Sequence, residues 1–540
     1  QKFLGDLWEA SEKPKRAVSH WRAAWTWYEN HPRAYRPHWI QLQISLVQAG
    51  LLPSEHMSRA LRACFFPGRE GSLTHLRYPV EWSMIMRWKI RQAVSPEQLR
   101  HLLGTALRGG EWVLQTRQSL TDQFSMREKI QDLFREAVFR AHAQWSLTPD
   151  DPQWEAILWK CSGWMGACMQ YNRQEEKAID TGNAPFPFFG ESASSFVEQW
   201  RQWQKTLPAG RLWVELLPLE SGQALLMWIE KDAFQCRSID LSPSCSQQWA
   251  DWQEEYLPAE GFRRRTGFCL QLVAPLLSSW QRCRDLVFLP YGKWSNFPLD
   301  LLLDAAMPGS LKGRTFCLAI QRYPSNSTLD WTVPMQIWAP LSQPGDTLPA
   351  LPWAEAEVKA LKDTWAAEAY LGSKCNMEGF QSMGPKAGLL HLVGHAVFQS
   401  EEVELPFYPS PGSPHLLNGE RLDSLSLNAQ LVVLHTCFSG RGYGRYPYLS
   451  GGLAQSFLLS GAKGVLATRW AVPDRAGHLF IKRFYEHLLG EKCSPAEALA
   501  HVRSEFQEHP DVALADPAVW GAYYLLGEVH EPLRNTQSAI

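Results

Sequence analysis

Two apolar runs in the 540-residue sequence each end in a residue able to do covalent chemistry. Gly388-Leu389-Leu390-His391-Leu392-Val393-Gly394 leads into His395, and Gln430-Leu431-Val432-Val433-Leu434-His435-Thr436 leads into Cys437. A free thiol, with a pKa of about 8.5, is only a few per cent thiolate at neutral pH. An imidazole beside it takes the thiol proton during attack and returns it to a leaving amine. Cys437 and His395 are therefore a candidate nucleophile and base. Ser439 and Gly440 follow closely, so a sharp bend just past the cysteine is expected. The backbone N–H of Cys437 and that of Ala396, next to His395, are candidate donors to a developing oxyanion. The residues alone leave two other readings open. One is a buried core cysteine with a satisfied core histidine. The other is a zinc site of His391, His395, His435 and Cys437, although no CxxC pair accompanies it.

Neither run alternates, as expected of strands buried on both faces of a parallel sheet. Reactive groups in open α/β sheets gather beyond the carboxyl ends of the strands. The separation, 437 − 395 = 42 positions, leaves room for an excursion and a crossover between neighbouring strands. The Pro- and Gly-rich stretch 399–425 is expected to be a loop bordering the cleft. Further strands are predicted at 285–290, 315–321, 335–339 and 464–470, with helices at 267–283, 354–365, 453–460, 474–489 and 495–508. Such alternation implies parallel strands and right-handed crossovers. An antiparallel meander at 212–218, 223–229 and 235–241 precedes them, with turns at Ser221-Gly222 and Lys231-Asp232.

Residues 1–205 read as helical, with apolar side chains at three- and four-residue spacing. Helices are predicted at 96–108, 111–118, 122–145, 152–172 and 195–205. Leu4-Gly5, Trp8, Ala17, Trp21 and Ala24 stand at the separations of a tetratricopeptide (TPR) repeat, and Ala49-Gly50 with Ala60, Leu61 and Ala63 suggests a second helical pair. The fold class is thus α plus α/β: a TPR-like α-solenoid, then a mostly parallel sheet flanked by helices. An irregular helical bundle is the alternative for the first part. The expected division is a helical domain at 1–180, a linker and connecting helix at 181–206 containing the Pro- and Gly-rich 181–190, and a second domain at 207–540. The second is expected to split into 207–384 and the dyad-bearing 385–540.

Charge is nearly balanced, 53 Lys and Arg against 55 Asp and Glu, so direct sequence-specific nucleic-acid binding is not expected. The run Arg263-Arg264-Arg265 reads as a solvated loop. The 11 cysteines have no framework spacing, which suggests a reducing, cytoplasmic setting. No apolar run approaches the ~18–20 residues of a membrane span, and no signal peptide is visible, so no membrane partner is expected. No cofactor or metal is expected either. The sequence begins at Gln1 without Met, which leaves its natural start open.

Beyond the dyad, several segments occur in the order of one known family. They are Asp285–Gly292 with Phe297-Pro298-Leu299-Asp300, Arg322–Leu329, Leu351–Val358, Gly451–Ala454, Gly461–Val465, Trp470–Asp474 and Asp516–Tyr523 with Gly527. Together they resemble the CHAT domain, a caspase-like cysteine protease family related to caspases and separase, over roughly residues 210–530. The resemblance implies that Cys437 and His395 are catalytic and that 207–384 is a pseudo-protease-like part. The usual His-Gly of the family is His395-Ala396 here, and Ala supplies the same backbone N–H unless φ must be positive. Caspase-like enzymes hold the residue before the scissile bond in a pocket of strand-end loops. Asp474 is the candidate partner there for a basic residue, with Asn296, Ser325 and Trp470 as neighbours. The plainer reading of Asp474 is a cap on the helix that follows it.

TPR-like helices joined to a CHAT protease resemble the TPR-CHAT proteases that accompany the type III-E CRISPR effector in the assembly called Craspase. That resemblance implies docking of the helical part on an RNA-guided effector protein with its guide RNA. Target-RNA recognition would then unlock cleavage of a protein substrate. Other TPR-CHAT proteases activate gasdermin-like pore formers. A non-catalytic CHAT scaffold is the competing class, though a scaffold needs neither His395 nor Cys437.

Overall fold

A computed structural model of the chain describes residues 14–30, 36–65, 76–115, 120–169, 193–219, 223–240, 273–291, 297–319, 334–341, 350–399, 402–409, 415–440, 452–527 and 529–530. It forms two compact units, Gln1–Met169 with Phe188–Trp200, and Gln170–Pro187 with Arg201–Ile540.

The described helices of the N-terminal region are α1 (Pro14–Asn30), α2 (Arg36–Gln48), α3 (Glu55–Ala63), α4 (Pro79–Arg91), α5 (Pro96–Gln115), α6 (Leu120–Leu147), α7 (Pro152–Met169) and α8 (Ala193–Thr206). From α1 to α7, each packs chiefly on the next one or two along the chain, the neighbour-to-neighbour logic of a solenoid. Ala17, Trp21 and Ala24 share one face of α1 and are buried with Leu42 and Leu46 of α2. The small alanines let the two backbones approach while Trp21 fills the space between them. Leu4, Gly5, Trp8 and the stretch 181–190 lie outside the described residues.

The break expected between 108 and 111 does not occur, and α5 runs through it. Gly109 and Gly110 serve contact instead of interruption. A Cβ on Gly109 would stand 2.0 Å from the Trp82 ring, and one on Gly110 2.2 Å from the Phe134 ring. The helical propensity lost at two glycines is offset by the close seating of α4 and α6 against α5.

The second unit is built on an eleven-stranded sheet. Its strands are β1 (Arg211–Pro218), β2 (Gln223–Glu230), β3 (Ala233–Asp240), β4 (Asp285–Pro290), β5 (Thr315–Leu318), β6 (Met335–Ala339), β7 (Glu368–Leu371), β8 (Leu389–Val393), β12 (Leu431–His435), β13 (Gly464–Thr468) and β14 (Tyr523–Gly527). A separate three-stranded sheet holds β9 (Val397–Gln399), β10 (Glu402–Pro406) and β11 (Leu416–Leu417). The order of the large sheet is β3-β2-β1-β4-β5-β14-β13-β12-β8-β6-β7. The expected meander forms β1–β3, antiparallel throughout. The remaining neighbours are parallel except β13 and β14. The small sheet occupies part of what reads as a loop at 399–425. Glu402-Val-Glu-Leu-Pro alternates polar and apolar residues, the period of a half-buried strand, and Val403 and Leu405 are buried.

Five helices bear on the site: α9 (Leu299–Ala306), α10 (Pro352–Trp365), α11 (Gly452–Leu459), α12 (Asp474–Tyr485) and α13 (Pro495–Gln507). A capping box opens α13, in which Ser494 and Glu497 satisfy each other's backbone N–H. Among the described residues, no helix is long and apolar enough to cross a membrane.

Candidate active site

β8 and β12 are neighbouring parallel strands, paired from Leu389↔Leu431 to Val393↔His435. His395 and Cys437 each lie two residues beyond that last pair. One carboxyl edge of the sheet therefore presents both members of the dyad at equivalent positions. His395 and Cys437 are both partly buried.

The chain bends sharply after Cys437, but the residue that bends is Phe438, held at φ 58°. A non-glycine residue in the left-handed region is strained by about 1–3 kcal/mol, and such strain persists where neighbours over-determine it. They do so here. Ser439 Oγ donates to Leu434 O at 3.2 Å and accepts from Thr468 N at 3.0 Å. Thr468 Oγ1 donates to Thr436 O at 2.7 Å, and Gly440 N donates to Thr468 O at 3.0 Å. These bonds fasten the turn to the end of β13. Gly440 is needed for space, since a Cβ there would meet Tyr524 Oη at 1.9 Å. Ala396 is not among the residues with positive φ, so its side chain is tolerated beside His395.

Burial pushes the Cys437 thiol above its ordinary pKa. The backbone N–H groups of Val472 and of Cys437 itself pull the other way, and the Asp474 carboxylate adds to the rise. The resting thiol is thus protonated at neutral pH and requires a base. Site-resolved iodoacetamide labelling at pH 7.5 is expected to modify Cys437 more slowly than a free cysteine of pKa about 8.5. Its rate should climb as pH rises past that value. Labelling faster than the reference would show a preformed thiolate instead.

Asp474 does not cap its own helix. Pro473 is the N-cap of α12, and the Asp474 side chain accepts from Trp353 N, in the first turn of α10, at 3.0 Å. It satisfies one of the unpaired N–H groups of the neighbouring helix. Its charge also acts on the Cys437 thiol. Trp470 is buried, with Nε1 donating to Ala518 O at 2.7 Å. Asn296 and Ser325 lie outside the described residues.

Two of the histidines weighed as zinc ligands are held by a residue that sequence reasoning missed. Glu357, on the buried face of α10, accepts from His391 Nε2 at 2.9 Å and His435 Nδ1 at 2.8 Å, both on Oε1. His391 Nδ1 faces Tyr485 Oη at 3.1 Å, and His478 Nδ1 lies 3.8 Å from Glu357 Oε2. A single buried carboxylate therefore ties together the two strands that carry the dyad. The signal was its spacing, for Glu357 falls on the same helical face as Ala354, Val358 and Leu361. His391, His395, His435 and Cys437 do not converge as a ligand set.

Burial opposes the Glu357 charge, but the electrostatic pull of His435 and the hydrogen bonds from His391 and His435 outweigh it and hold the carboxyl at about 2. A pKa below the ordinary ~4.3 means that its stabilisation is complete above that value and is lost as pH falls towards 2. Glu357→Gln is expected to cost about 1–3 kcal/mol at pH 7, the cost of an unsatisfied buried donor. The difference from the parent should shrink between pH 4 and pH 2. Denaturant midpoints measured across that window test both parts, and a pH-independent difference would contradict them.

The family model for the CHAT domain matches residues 270–528. Two crystal structures of the Saccharomyces cerevisiae separase–securin complex, at 3.0 and 2.6 Å resolution, are similar in fold. Each gives a TM-score of 0.50 at 10% sequence identity and covers 99% of this chain. The chain spans 46% and 47% of the matched chains, just under half of their length. No curated protein matches the sequence. The mixed fold, with N-terminal helices and a large mostly parallel sheet, is similar to that of these separase structures.

Proposed function

We propose that the chain is a cysteine endopeptidase that cleaves a specific protein partner with Cys437 as nucleophile and His395 as base. The observation that carries this reading is the register of β8 and β12, which puts both residues at matched strand ends. His395 takes the thiol proton as sulfur attacks the scissile carbonyl carbon. The carbonyl oxygen becomes an oxyanion, received by the backbone N–H groups of Cys437 and Ala396. Collapse breaks the C–N bond, and the proton on His395 goes to the leaving amine. Water, deprotonated by His395, then hydrolyses the thioester and restores the thiol.

Asp474, whose charge acts on Cys437, favours a basic residue before the scissile bond. Trp470, together with Asn296 and Ser325, is assigned to the same pocket's surroundings. The resting enzyme is latent until its partner engages it. Activation comes through the TPR-like helical unit on docking to an RNA-guided type III-E CRISPR effector that has bound target RNA. The test is a proteolysis assay on lysate of the source organism, comparing the parent chain with Cys437→Ala, alone and with effector, guide and matching target RNA. Fragments that need both Cys437 and target RNA support the whole reading. Fragments that need Cys437 but not the effector retain the protease and reject this activator. Fragments independent of Cys437 reject its role as nucleophile.

A further inference from the structure

Away from the dyad, α12 passes into a π-helical turn, Glu486–Gly490, in which Glu491 N bonds to Glu486 O five residues back. Wide turns of this kind are rare and are frequent at functional sites. This one carries His487, with Glu491 just beyond it, and both face His501 of α13. The candidate ligand atoms of His487, Glu491 and His501 all lie within 4.8 Å of one another.

The orientation of His487 follows from its neighbours. Nε2 lies 2.8 Å from Glu505 Oε1, and a carboxylate can only accept, so Nε2 carries the proton. Glu505 is itself gripped by Arg483 through Nε at 2.8 Å and Nη2 at 2.5 Å, which fixes the imidazole in place. His487 is only 5% exposed, and Nδ1 is buried without a hydrogen bond. It nevertheless stands 2.9 Å from Glu491 Oε2, off the line that a hydrogen bond requires. A cation placed between these two ligand atoms satisfies both. Ligand atoms about 2.0–2.1 Å from a tetrahedral zinc ion are about 3.3–3.4 Å apart, a spacing the exposed Glu491 carboxylate reaches by moving a few tenths of an ångström. The His501 ring, 5.0 Å from that of His487 and nearly perpendicular to it, supplies the third ligand.

We propose that His487, Glu491 and His501 bind a borderline divalent cation of the zinc class, with Glu505 as the carboxylate that orients His487. Two imidazoles and one carboxylate suit zinc, nickel or copper, whereas magnesium and calcium favour all-oxygen sets. The bound ion joins the C-terminal end of α12 to α13. Glu505 plays the part of the outer carboxylate common behind metal-bound histidines.

Calorimetric titration of the metal-stripped full chain with zinc chloride tests this, with magnesium chloride as the control. His501 and Glu491 are exposed, so His501→Ala and Glu491→Ala leave the fold intact, as circular dichroism would verify. One zinc equivalent is expected in the parent, weakened at least ~10-fold in either variant and about 10–100-fold in Glu505→Gln. Cobalt loaded at the same site should give d–d absorption that His501→Ala abolishes. Comparing parent and variant removes any background binding by the cysteines. A zinc isotherm identical in the parent and His501→Ala, or equal binding of magnesium, overturns the proposal.

Discussion

Cys437→Ala is expected to abolish cleavage of the protein substrate while leaving the fold and partner binding unchanged. The substitution removes only the sulfur, and the turn around it is held by Ser439, Thr468 and Gly440. Without the nucleophile no thioester forms, and at least ~10³-fold in rate is lost. His395→Ala should be nearly as damaging at neutral pH, because burial keeps the Cys437 thiol protonated when no base is present. The two variants differ in their response to pH. Cleavage by His395→Ala should recover in part as pH rises through the thiol pKa, since hydroxide then does the work of the base. Cys437→Ala should not recover at any pH. The double variant should be no worse than Cys437→Ala, as residues of one catalytic unit are not additive. Rate profiles from pH 6 to pH 10 decide the matter. A Cys437→Ala protein that still cleaves at the parental rate would remove the dyad from the mechanism.

The features legible in sequence were those with a short-range signature. The unbroken apolar runs before His395 and Cys437 became adjacent parallel strands because a strand buried on both faces cannot alternate. The meander was readable from turn residues at 221–222 and 231–232 between strand-like runs. Harder to read were features set by distant partners. Tyr523–Gly527 gives little strand signal beyond its apolar residues, and only its place between β13 and β5 makes it one. Gly109 and Gly110 looked like a helix end because the rings of Trp82 and Phe134, which need the space, lie far off in sequence. Asp474 stood correctly at a helix start, yet the helix whose N–H it satisfies begins more than a hundred residues earlier. At the candidate site, His395 and Cys437 were visible as residue types at the ends of apolar runs. The carboxylate that joins their strands was not, since a Glu on a buried helical face reads the same with or without histidine partners.

Asp300→Ala is expected to be the most destabilising of these substitutions, by about 3–5 kcal/mol. Asp300, fully buried in the first turn of α9, accepts from Arg469 Nη2 at 2.9 Å and from Arg503 Nη2 at 2.8 Å. Both guanidinium groups are buried as well, and each is tied further to the backbone: Arg469 to Gly521 O at 2.9 Å and Arg503 to Tyr523 O at 2.5 Å. Burial already pulls the Arg503 pKa below its ordinary value, with the Asp300 charge resisting that fall. Removing the carboxylate leaves two cations facing each other with little water to solvate them. Against a domain stability of about 5–15 kcal/mol, that loss is a large share. It also reaches the active end of the sheet. Arg469 follows Thr468, whose backbone and hydroxyl pin the turn after Cys437, so a displaced Arg469 loosens that turn. Denaturant unfolding of Asp300→Ala should therefore show a lower midpoint, and Asp300→Asn should be milder because it preserves shape and one acceptor. A loss below about 1 kcal/mol for Asp300→Ala would mean that the two arginines find other partners or water, and the triad would no longer be a keystone of the second unit.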